Sequence, residues 1–338
     1  MRFPPTPDRE IQEAEMVVVC GEGLVDMVPT PCSGGQGYVP RPGGSPFNVA
    51  IGLARLGVPA AFLGRLSGDR FGRSLVQHLR DNAVHLRYLR DGPEVSRLAF
   101  VLNEPGQEAQ YVFYSDNSAD RNLLPADLPD SFADDVTAIH FGSISLMVEP
   151  SASTLEQCMR REQGVRLVTL DPNVRPQLIA DADRYRHRLE GWVQLVDLVK
   201  VSRADLDWLY PEVSVSDVAQ RWRGLGAGVV LVTLGADGAI AFGAAGMATR
   251  PAISVQVVDT VGAGDAFTAG ALAWLHQSSL LDRSAFDAIT TSELSTLLSY
   301  ANLVSAVTCT RAGADPPRLD ELIDFRPDGD PNTKSLLI

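Results

Sequence analysis

The sequence RLVTL at residues 166–170 is the first of three short apolar runs that decide the fold. LVDLV follows at residues 195–199 and VVLVTL at residues 229–234, with helical patterns at 204–210 and 215–225 between the last two. Each run is largely apolar throughout rather than alternating, as is typical of parallel strands covered on both faces. The same rhythm extends outward in strands at 16–20, 61–64, 138–141 and 253–258 and helices at 152–162, 263–277 and 292–308. The sequence therefore predicts an α/β fold, with an open, doubly wound, mostly parallel sheet flanked by helices.

A β-hairpin pattern interrupts this rhythm. Residues 98–102 and 109–114 are strand-like around a Pro105-Gly106 turn, and residues 27–42 would add further strands. We expect them to form a small β-sheet that serves either as a mobile lid or as a dimer-forming flap. The predicted boundaries are 16–26, 43–95 and 119–325 for the α/β core, 27–42 and 96–118 for the β-lid, and 1–15 and 326–338 for flexible termini.

The composition excludes several classes of protein. With 29 basic and 42 acidic residues the net charge is −13, and no basic stripe is available to neutralise a nucleic-acid backbone. No apolar run approaches the roughly 18 residues that span a bilayer, and residues 1–15 lack the apolar segment of a secretory signal. The cysteines and histidines show no metal-binding spacing. We therefore expect a cytoplasmic protein with neither nucleic acid nor membrane as partner.

Lysine is almost absent from the chain. Lys200 and Lys334 are the two lysines among the 29 basic residues. A Walker A loop needs Gly-Lys-Ser/Thr, and a protein-kinase core needs a lysine on a strand. Neither lysine stands in such a setting, so both classes are excluded.

The strongest local motif is DTVGAGDAFTAGAL at residues 259–272. Its glycines allow close backbone approach, and the N–H groups of Gly262, Ala263, Gly264 and Asp265 would form an anion hole at a helix N-terminus without lysine. Asp265 is either a helix-stabilising carboxylate or a catalytic base. A catalytic base would explain why an acid stands beside an anion site, since the Asp265 carboxylate would accept a proton from a nucleophile.

A second motif, RPGGSPFNVAIGLARLG at residues 41–57, predicts a helix with Ser45 as its N-cap and Gly57 as its stop. Gly43 and Gly44 lie at the helix entrance, where backbone can approach a ligand, and Asn48 follows one turn later. The motif alone fits a well-capped helix as well as a ligand site.

Polar loops follow several predicted strands. Asp171, Asn173 and Arg175 alternate in DPNVRP directly after residues 166–170, so they would either share one side of the loop or form a solvated salt bridge. Asp26 and Asp205 occupy corresponding positions after other strands. Ligands of open α/β sheets bind beyond these carboxyl ends. The glycine-rich turn at 232–238 would lie beneath a nucleotide or form a tight hairpin turn.

These motifs together resemble the ribokinase-like (pfkB-type) carbohydrate kinases, and within them the bacterial fructokinases, over about residues 17–325. Gly43-Gly44-x-x-x-Asn48 resembles the N-terminal signature of the family, and Asp259-Thr-x-Gly-Ala-Gly-Asp265 resembles its C-terminal signature. The family uses no Walker loop, in keeping with the scarcity of lysine. The resemblance implies a ribokinase-like fold with a β-sheet lid. It also implies a Mg²⁺-dependent transfer of the γ-phosphoryl group of ATP to a sugar, with O6 of D-fructose as the acceptor.

The resemblance also implies residue roles. Asp265 would be the base, with Gly262, Ala263 and Gly264 as the anion hole. Sugar would be bound by Asp26, Gly43, Gly44, Asn48 and Arg175. The nucleotide would be bound by Thr233, Gly235, Gly238, Gly264 and Asn302. A monovalent cation, usually K⁺, would be bound by Asp259, the carbonyl of Val261 and residues 311–315, and Asp205, shorter than the family's Glu, would reach Mg²⁺ through water.

Three alternatives stand beside this reading. A 2-keto-3-deoxygluconate kinase would need a cationic contact for the substrate carboxylate, from Arg97 or Arg175; Arg97 stands where the family would have a small or hydroxyl residue. A non-enzymatic sugar sensor would share the binding residues. A nicotinamide-dependent oxidoreductase is disfavoured because no Gly-x-Gly-x-x-Gly follows the first strand.

Overall fold

The structure, a computed structural model, describes residues 15–102, 110–114 and 116–325. The predictions of flexible termini at 1–14 and 326–338 and of a Pro105-Gly106 turn lie outside these described residues. The strands in chain order are β1 (Met16–Cys20), β2 (Leu24–Cys32), β3 (Gly35–Gly43), β4 (Ala60–Ser67), β5 (Leu89–Gly92), β6 (Leu98–Leu102), β7 (Gln110–Tyr114), β8 (Val136–Gly142), β9 (Leu167–Asp171), β10 (Leu198–Ser202), β11 (Val229–Thr233), β12 (Ala239–Gly243) and β13 (Gly246–Arg250). The helices are α1 (Ser45–Arg55), α2 (Arg70–Asp81), α3 (Ser151–Glu162), α4 (Ala182–Val193), α5 (Arg203–Leu209), α6 (Val215–Leu225), α7 (Ala263–Gln277), α8 (Arg283–Asp287), α9 (Thr291–Cys309) and α10 (Leu319–Asp324).

The large sheet has the order β13-β12-β11-β10-β9-β8-β1-β4-β5. Every pairing from β11 to β5 is parallel, and β12 and β13 add an antiparallel edge. This confirms the predicted doubly wound, mostly parallel sheet.

Alternate side chains of each central strand enter opposite apolar layers, which explains the uniformly apolar runs. Val17 and Val19 of β1 pack in the layer that contains α1, α7 and α9. Val18 and Cys20 pack in the other layer, with α3, α4 and α6. Burying one such valine contributes roughly 1.5–3 kcal/mol, so each face of the strand is held by hydrophobic burial.

The direction of winding reverses between β1 and β8. From β1 the chain moves outward to β4 and β5, and from β8 it moves the opposite way to β9, β10 and β11. Ligands of open α/β sheets bind at such a switch point, outside the carboxyl ends of the strands. The loops that follow β1 and β8 therefore mark the expected binding site.

A separate four-stranded sheet has the order β3-β2-β6-β7, with β2 parallel to β6 and the other pairings antiparallel. The predicted small sheet is therefore present, and its strand β2 already begins at Leu24. Whether it acts as a lid remains a prediction.

Two strand predictions need correction. Residues 253–257 belong to no helix or strand and Val258 lies in a bend, so α7 is preceded by a loop. The strand predicted at 195–199 lies further along the chain, because β10 begins at Leu198. All five predicted helices are observed to within one residue at each end, and two of them have the predicted bounds, Val215–Leu225 and Ala263–Gln277. No helix in the described part of the chain is long and apolar enough to cross a membrane.

Candidate active site

The N-terminus of α7 forms the floor of the site. Gly262 precedes the helix with φ +77, and a Cβ at this position would lie 2.6 Å from the Cβ of Ala314, so glycine is required for both conformation and space. The N–H groups of Gly262, Gly264 and Asp265 have no acceptor among the described residues, whereas Ala263 N–H donates to the carbonyl of Thr260 at 3.2 Å. The predicted set of four free N–H groups is therefore wrong at Ala263, and three remain to bind an anion.

Asp265, in the first turn of α7, contacts two side chains from α1. Its Oδ1 accepts a hydrogen bond from Ser45 Oγ at 2.6 Å, and its Oδ2 accepts one from Asn48 Nδ2 at 2.8 Å. Gly44, with φ +105, is the N-cap of α1, so the predicted capping role of Ser45 is wrong. The hydroxyl of Ser45 fixes the carboxylate instead, across 220 residues of sequence.

The electrostatics of Asp265 favour a proton acceptor that works near neutral pH. Burial raises the pKa of this carboxyl to about 6. The hydrogen bonds from Ser45 and Asn48 oppose that rise, the charge of Asp171 adds to it, and the charge of Lys200 opposes it. A carboxyl with a raised pKa takes up a proton more readily than an exposed one while remaining ionised at pH 7.

Asp26 approaches the same point from the small sheet. Burial raises its pKa to about 7, the charge of Asp265 adds to the rise, and Arg175 opposes it. Gly43, paired with Leu24 across β2 and β3, leaves the space that the Asp26 carboxylate occupies, because a Cβ there would collide with Oδ2. Asp26 on β2 and Asp265 on α7 are thus close enough to interact electrostatically.

A cavity of about 480 Å³ joins these groups at the switch point. Its walls come from the loops after β1, β8 and β9, from the start of α1, from the small sheet and from the start of α7. It is lined by Glu22, Leu24, Asp26, Gly44, Ser45, Asn48, Phe113, Ser143, Ile144, Asn173, Arg175, Ser202, Thr260, Val261, Gly262, Gly264 and Asp265. The structure therefore brings together most of the predicted sugar-binding and catalytic residues.

The alternating residues after β9 do not all face the cavity. Asn173 and Arg175 line it, and Arg175 Nη1 donates to Asn173 Oδ1 at 2.7 Å. Asp171 is buried below them and accepts a hydrogen bond from Lys200 Nζ at 2.8 Å. The prediction that all three share one side is wrong, because Asp171 is the last residue of β9 and its side chain enters the interior.

The predicted nucleotide residues lie outside this cavity, apart from Gly264. Thr233 ends β11, and Gly235 and Gly238 form the turn to β12, which is the hairpin that the sequence left open. Asn302, on α9, donates from Nδ2 to the carbonyl of Pro251 at 2.9 Å. Their role in nucleotide binding remains a prediction.

The residues predicted for a monovalent cation come together in two adjoining loops. Asp259 Oδ1 accepts the N–H of Val261 at 3.0 Å, and its Oδ2 accepts the N–H of Gly313 at 2.8 Å. Carboxylate and carbonyl oxygens are suitable ligands for a hard cation. No cluster of three or more His, Cys, Asp or Glu side chains occurs in the described ranges, so a cation here would depend on backbone carbonyls.

Asp205 fits the predicted magnesium role less well. Its Oδ2 accepts hydrogen bonds from the N–H and Oγ of Ser202, and its Oδ1 accepts one from Val174 N–H. This side chain forms the capping box of α5 and does not line the cavity. Contact with Mg²⁺ would require water, as the sequence predicts.

Arg97 has a different partner from the one the sequence suggested. It is fully buried, and its Nε donates to Asp120 Oδ2 at 2.6 Å. Since Arg97 does not line the cavity, it is not positioned to bind a substrate carboxylate. Its place in the chain is explained by this buried ion pair.

The sequence missed several residues of the cavity, among them Glu22 and Phe113. Glu22 is buried, and its Oε2 accepts hydrogen bonds from the N–H and Oγ of Ser145. Phe113 reaches the cavity from β7. The position of Glu22 directly after β1 was a usable signal, whereas nothing local distinguishes Phe113 from other strand aromatics.

Comparisons with known proteins show which family and fold this chain shares. Residues 14–321 match the model of the family described as pfkB family carbohydrate kinase. A fructokinase of Rhizobium leguminosarum bv. trifolii is 40% identical over 269 residues, which are 79% of this chain and 82% of the relative. The structure of a Xylella fastidiosa fructokinase with bound ATP is similar with a TM-score of 0.81 and 29% identity, covering 90% of this chain and 96% of that one. A Vibrio cholerae O395 fructokinase, in a form with fructose, ADP and calcium bound, has a TM-score of 0.77 and 30% identity, covering 89% and 95%.

Proposed function

Since this chain belongs to the pfkB family of carbohydrate kinases, we propose that it is an ATP-dependent fructokinase that forms fructose 6-phosphate. The observation that carries the proposal is the placement of Asp265. Its carboxylate is held by Ser45 and Asn48 directly beside the free N–H groups of an α-helix N-terminus. A base next to an anion site is the arrangement that phosphoryl transfer to a hydroxyl needs.

In the proposed reaction, O6 of fructose attacks the γ-phosphorus of ATP. The new O–P bond forms as the bond from the γ-phosphorus to the leaving oxygen of ADP breaks, and Asp265 accepts the hydroxyl proton. The N–H groups of Gly262, Gly264 and Asp265 stabilise the charge on the transferring group. Mg²⁺, when bound, would neutralise further charge on the phosphates.

The sugar would lie between the two sheets. Asp26 supplies a hydrogen-bond acceptor from β2, and Gly44, Asn48 and Arg175 line the same cavity. We propose that the small sheet acts as a lid, since Asp26 and Phe113 line the cavity from it. Closure would exclude water, which otherwise competes with the sugar as acceptor.

The 2-keto-3-deoxygluconate alternative is less well supported. It needs a cation at the substrate carboxylate, and Arg97 is fully buried against Asp120. Arg175 lines the cavity, but its Nη1 is engaged by Asn173 and Val174. A purely sugar-binding sensor has no need of the Asp265 arrangement.

The test is a coupled ADP-release assay of the purified protein. Fructose, ribose, 2-keto-3-deoxygluconate and a nucleoside are compared at equal concentration, and ³¹P NMR identifies the phosphorylated hydroxyl. We expect fructose to give the highest kcat/KM and the product to carry phosphate on O6. A higher kcat/KM for 2-keto-3-deoxygluconate would replace the proposal with the alternative, and no turnover with any sugar would favour the sensor.

A homodimer through the small sheet is part of the proposal. Tyr38, Phe100 and Tyr114 make successive edge-to-face ring contacts, and Tyr38 and Tyr114 are 38% and 63% exposed. Such an exposed aromatic surface is typical of an interface. Light scattering should give a dimer mass for the wild type and a monomer mass for Tyr114→Ser; an unchanged mass would refute this interface.

We place the enzyme in the cytoplasm, where ATP is available and where its four free thiols would persist.

A further inference from the structure

Lys200 is one of only two lysines in the chain. The sequence placed it just after a strand that ends at residue 199, which is wrong, because it is buried in the middle of β10. Its side chain is 5% exposed, and its Nζ donates to Asp171 Oδ2, which is 1% exposed, at 2.8 Å. Burying an ammonium group is costly unless it is paired. The proposed reaction assigns it no contact with sugar or phosphate, because it does not line the cavity.

The ammonium group of Lys200 lies directly behind the anion site. A Cβ added to Gly264 would be 3.2 Å from Nζ, so the side of Gly264 that lacks a side chain faces this charge. Thr268 links Asp171, the partner of Lys200, to the start of α7. Its Oγ1 donates to the Gly264 carbonyl at 3.1 Å and lies 3.5 Å from Asp171 Oδ2. These contacts join β9, β10 and the first turn of α7.

Several charged groups face this region from the surrounding elements. Asp171 from β9, Asp205 from α5 and Asp265 from α7 all interact electrostatically with Lys200. His140 from β8 interacts with both Lys200 and Asp171, and its burial lowers its pKa to about 4. Asp26 from β2, with Arg175 nearby, faces Asp265 from the other side of the cavity. Burial lowers the pKa of Lys200, but the Asp171 carboxylate, and to a smaller extent Asp205 and Asp265, raise it above its usual value, so the group is a fixed positive charge.

We propose that Lys200 is a positioning residue of the kinase, which holds the first turn of α7 in place and keeps Asp265 ionised among neighbouring carboxylates. This inference rests on the proposed role of Asp265 as base. The chain thus places its positive charge behind the backbone anion site rather than in contact with the phosphate. An ordinary buried ion pair would stabilise the fold without affecting the ionisation of Asp265.

The test is a cycle of variants at Lys200 and Asp171, with pH profiles of kcat/KM for fructose. Lys200→Met removes the positive charge, so the acid limb should move to higher pH by about one unit. With the pKa of Asp265 moving from about 6 to about 7, its ionised fraction falls about twofold at pH 7 and about tenfold at pH 5. We therefore expect kcat to fall by about these factors while KM for fructose changes less than threefold. Lys200→Arg, which keeps the charge, should retain the wild-type acid limb.

Asp171→Asn and the double variant Asp171→Asn/Lys200→Met complete the cycle. Asp171→Asn removes a charge that raises the pKa of Asp265, so its acid limb should move to lower pH. Adding Lys200→Met should return the limb to within about 0.3 unit of the wild type, because the two charges act in opposite directions. If Lys200→Met alone does not fold, the difference between Asp171→Asn and the double variant measures the same effect.

Folded variants whose acid limb does not move would overturn the proposal, leaving Lys200 as a structural ion pair. Asp265→Asn separates this failure from failure of the proposed base. An inactive Asp265→Asn together with an unmoved limb in the cycle refutes the role of Lys200 alone. An Asp265→Asn variant with full turnover refutes both.

Discussion

Asp265→Asn is expected to make the protein more stable while nearly abolishing its activity. In the folded protein the pKa of Asp265 is raised from 3.8 to about 6. A rise of about two units corresponds to about 3 kcal/mol at 1.36 kcal/mol per unit. The raised pKa means that the ionised group destabilises the fold: this penalty is absent below about pH 4, grows as the pH rises between the unfolded and the folded pKa, and is complete above about pH 6. Replacing the carboxylate by an amide removes the penalty.

The net gain is smaller than this figure. The carboxylate accepts hydrogen bonds from Ser45 and Asn48, and an amide replaces one acceptor oxygen by a donor, at a cost of about 1 kcal/mol. We therefore expect the variant to be more stable by about 2 kcal/mol at pH 8, and the pH-dependent part of the gain to be about halved at pH 5. For a chain of this size that is a rise in Tm of a few degrees at pH 8.

The assay is thermal unfolding at pH 8 and pH 5, with kcat measured at pH 8. Loss of the base should lower kcat by about 10²- to 10⁴-fold. Asp134→Asn, at an exposed position, is the matched control and should change neither quantity. The reasoning is refuted if Asp265→Asn retains kcat within tenfold of the wild type, or if its gain in Tm is the same at both pH values.

Three further substitutions test other parts of the structure. Asp26→Asn should raise KM for fructose about tenfold or more at pH 8, with a smaller effect on kcat, because it removes a charged hydrogen-bond acceptor from the cavity that would bind the sugar. Steady-state kinetics check this, and an unchanged KM would exclude a contact between Asp26 and the sugar. Arg97→Leu should lower the free energy of unfolding by about 3–5 kcal/mol, since it leaves the Asp120 carboxylate buried and unpaired. In urea denaturation, the double variant Arg97→Leu/Asp120→Leu should recover most of this loss, and equal losses in both variants would contradict the ion-pair account. Asp259→Asn should abolish any stimulation of kcat by K⁺ over Na⁺, since Asp259 joins the two loops proposed for the cation; undiminished stimulation in the variant would place the cation elsewhere.

The fold was largely predictable because its central strands are buried on both faces. That environment selects continuous apolar runs, and the runs at 138–141, 166–170 and 229–234 all lie in parallel strands. Residues 253–258 show the limit of this signal. Their composition favours a strand, but strand formation requires a neighbour with free backbone groups, which a local pattern does not report.

The site was predictable only where its chemistry is local in sequence. Gly262, Gly264 and Asp265 occur within four residues, so their motif identifies a helix N-terminus with an acid. The Ser45 hydrogen bond to Asp265 crosses 220 residues, and a serine followed by proline at a helix start fits a cap equally well. Arg97 was misread for the same reason, because its partner Asp120 is brought near by the tertiary fold alone.

The anion site is built from backbone N–H groups, and this has a consequence for how the enzyme can diverge. No substitution other than proline removes a main-chain donor; the others can only displace it, as at Gly262, where a methyl group would meet Ala314. The sugar wall consists instead of side chains such as Asn173 and Arg175, which single mutations can exchange. Phosphoryl transfer should therefore tolerate most mutations, while the choice of sugar acceptor can change by single substitutions. New sugar specificities can then evolve without altering the residues that transfer the phosphoryl group.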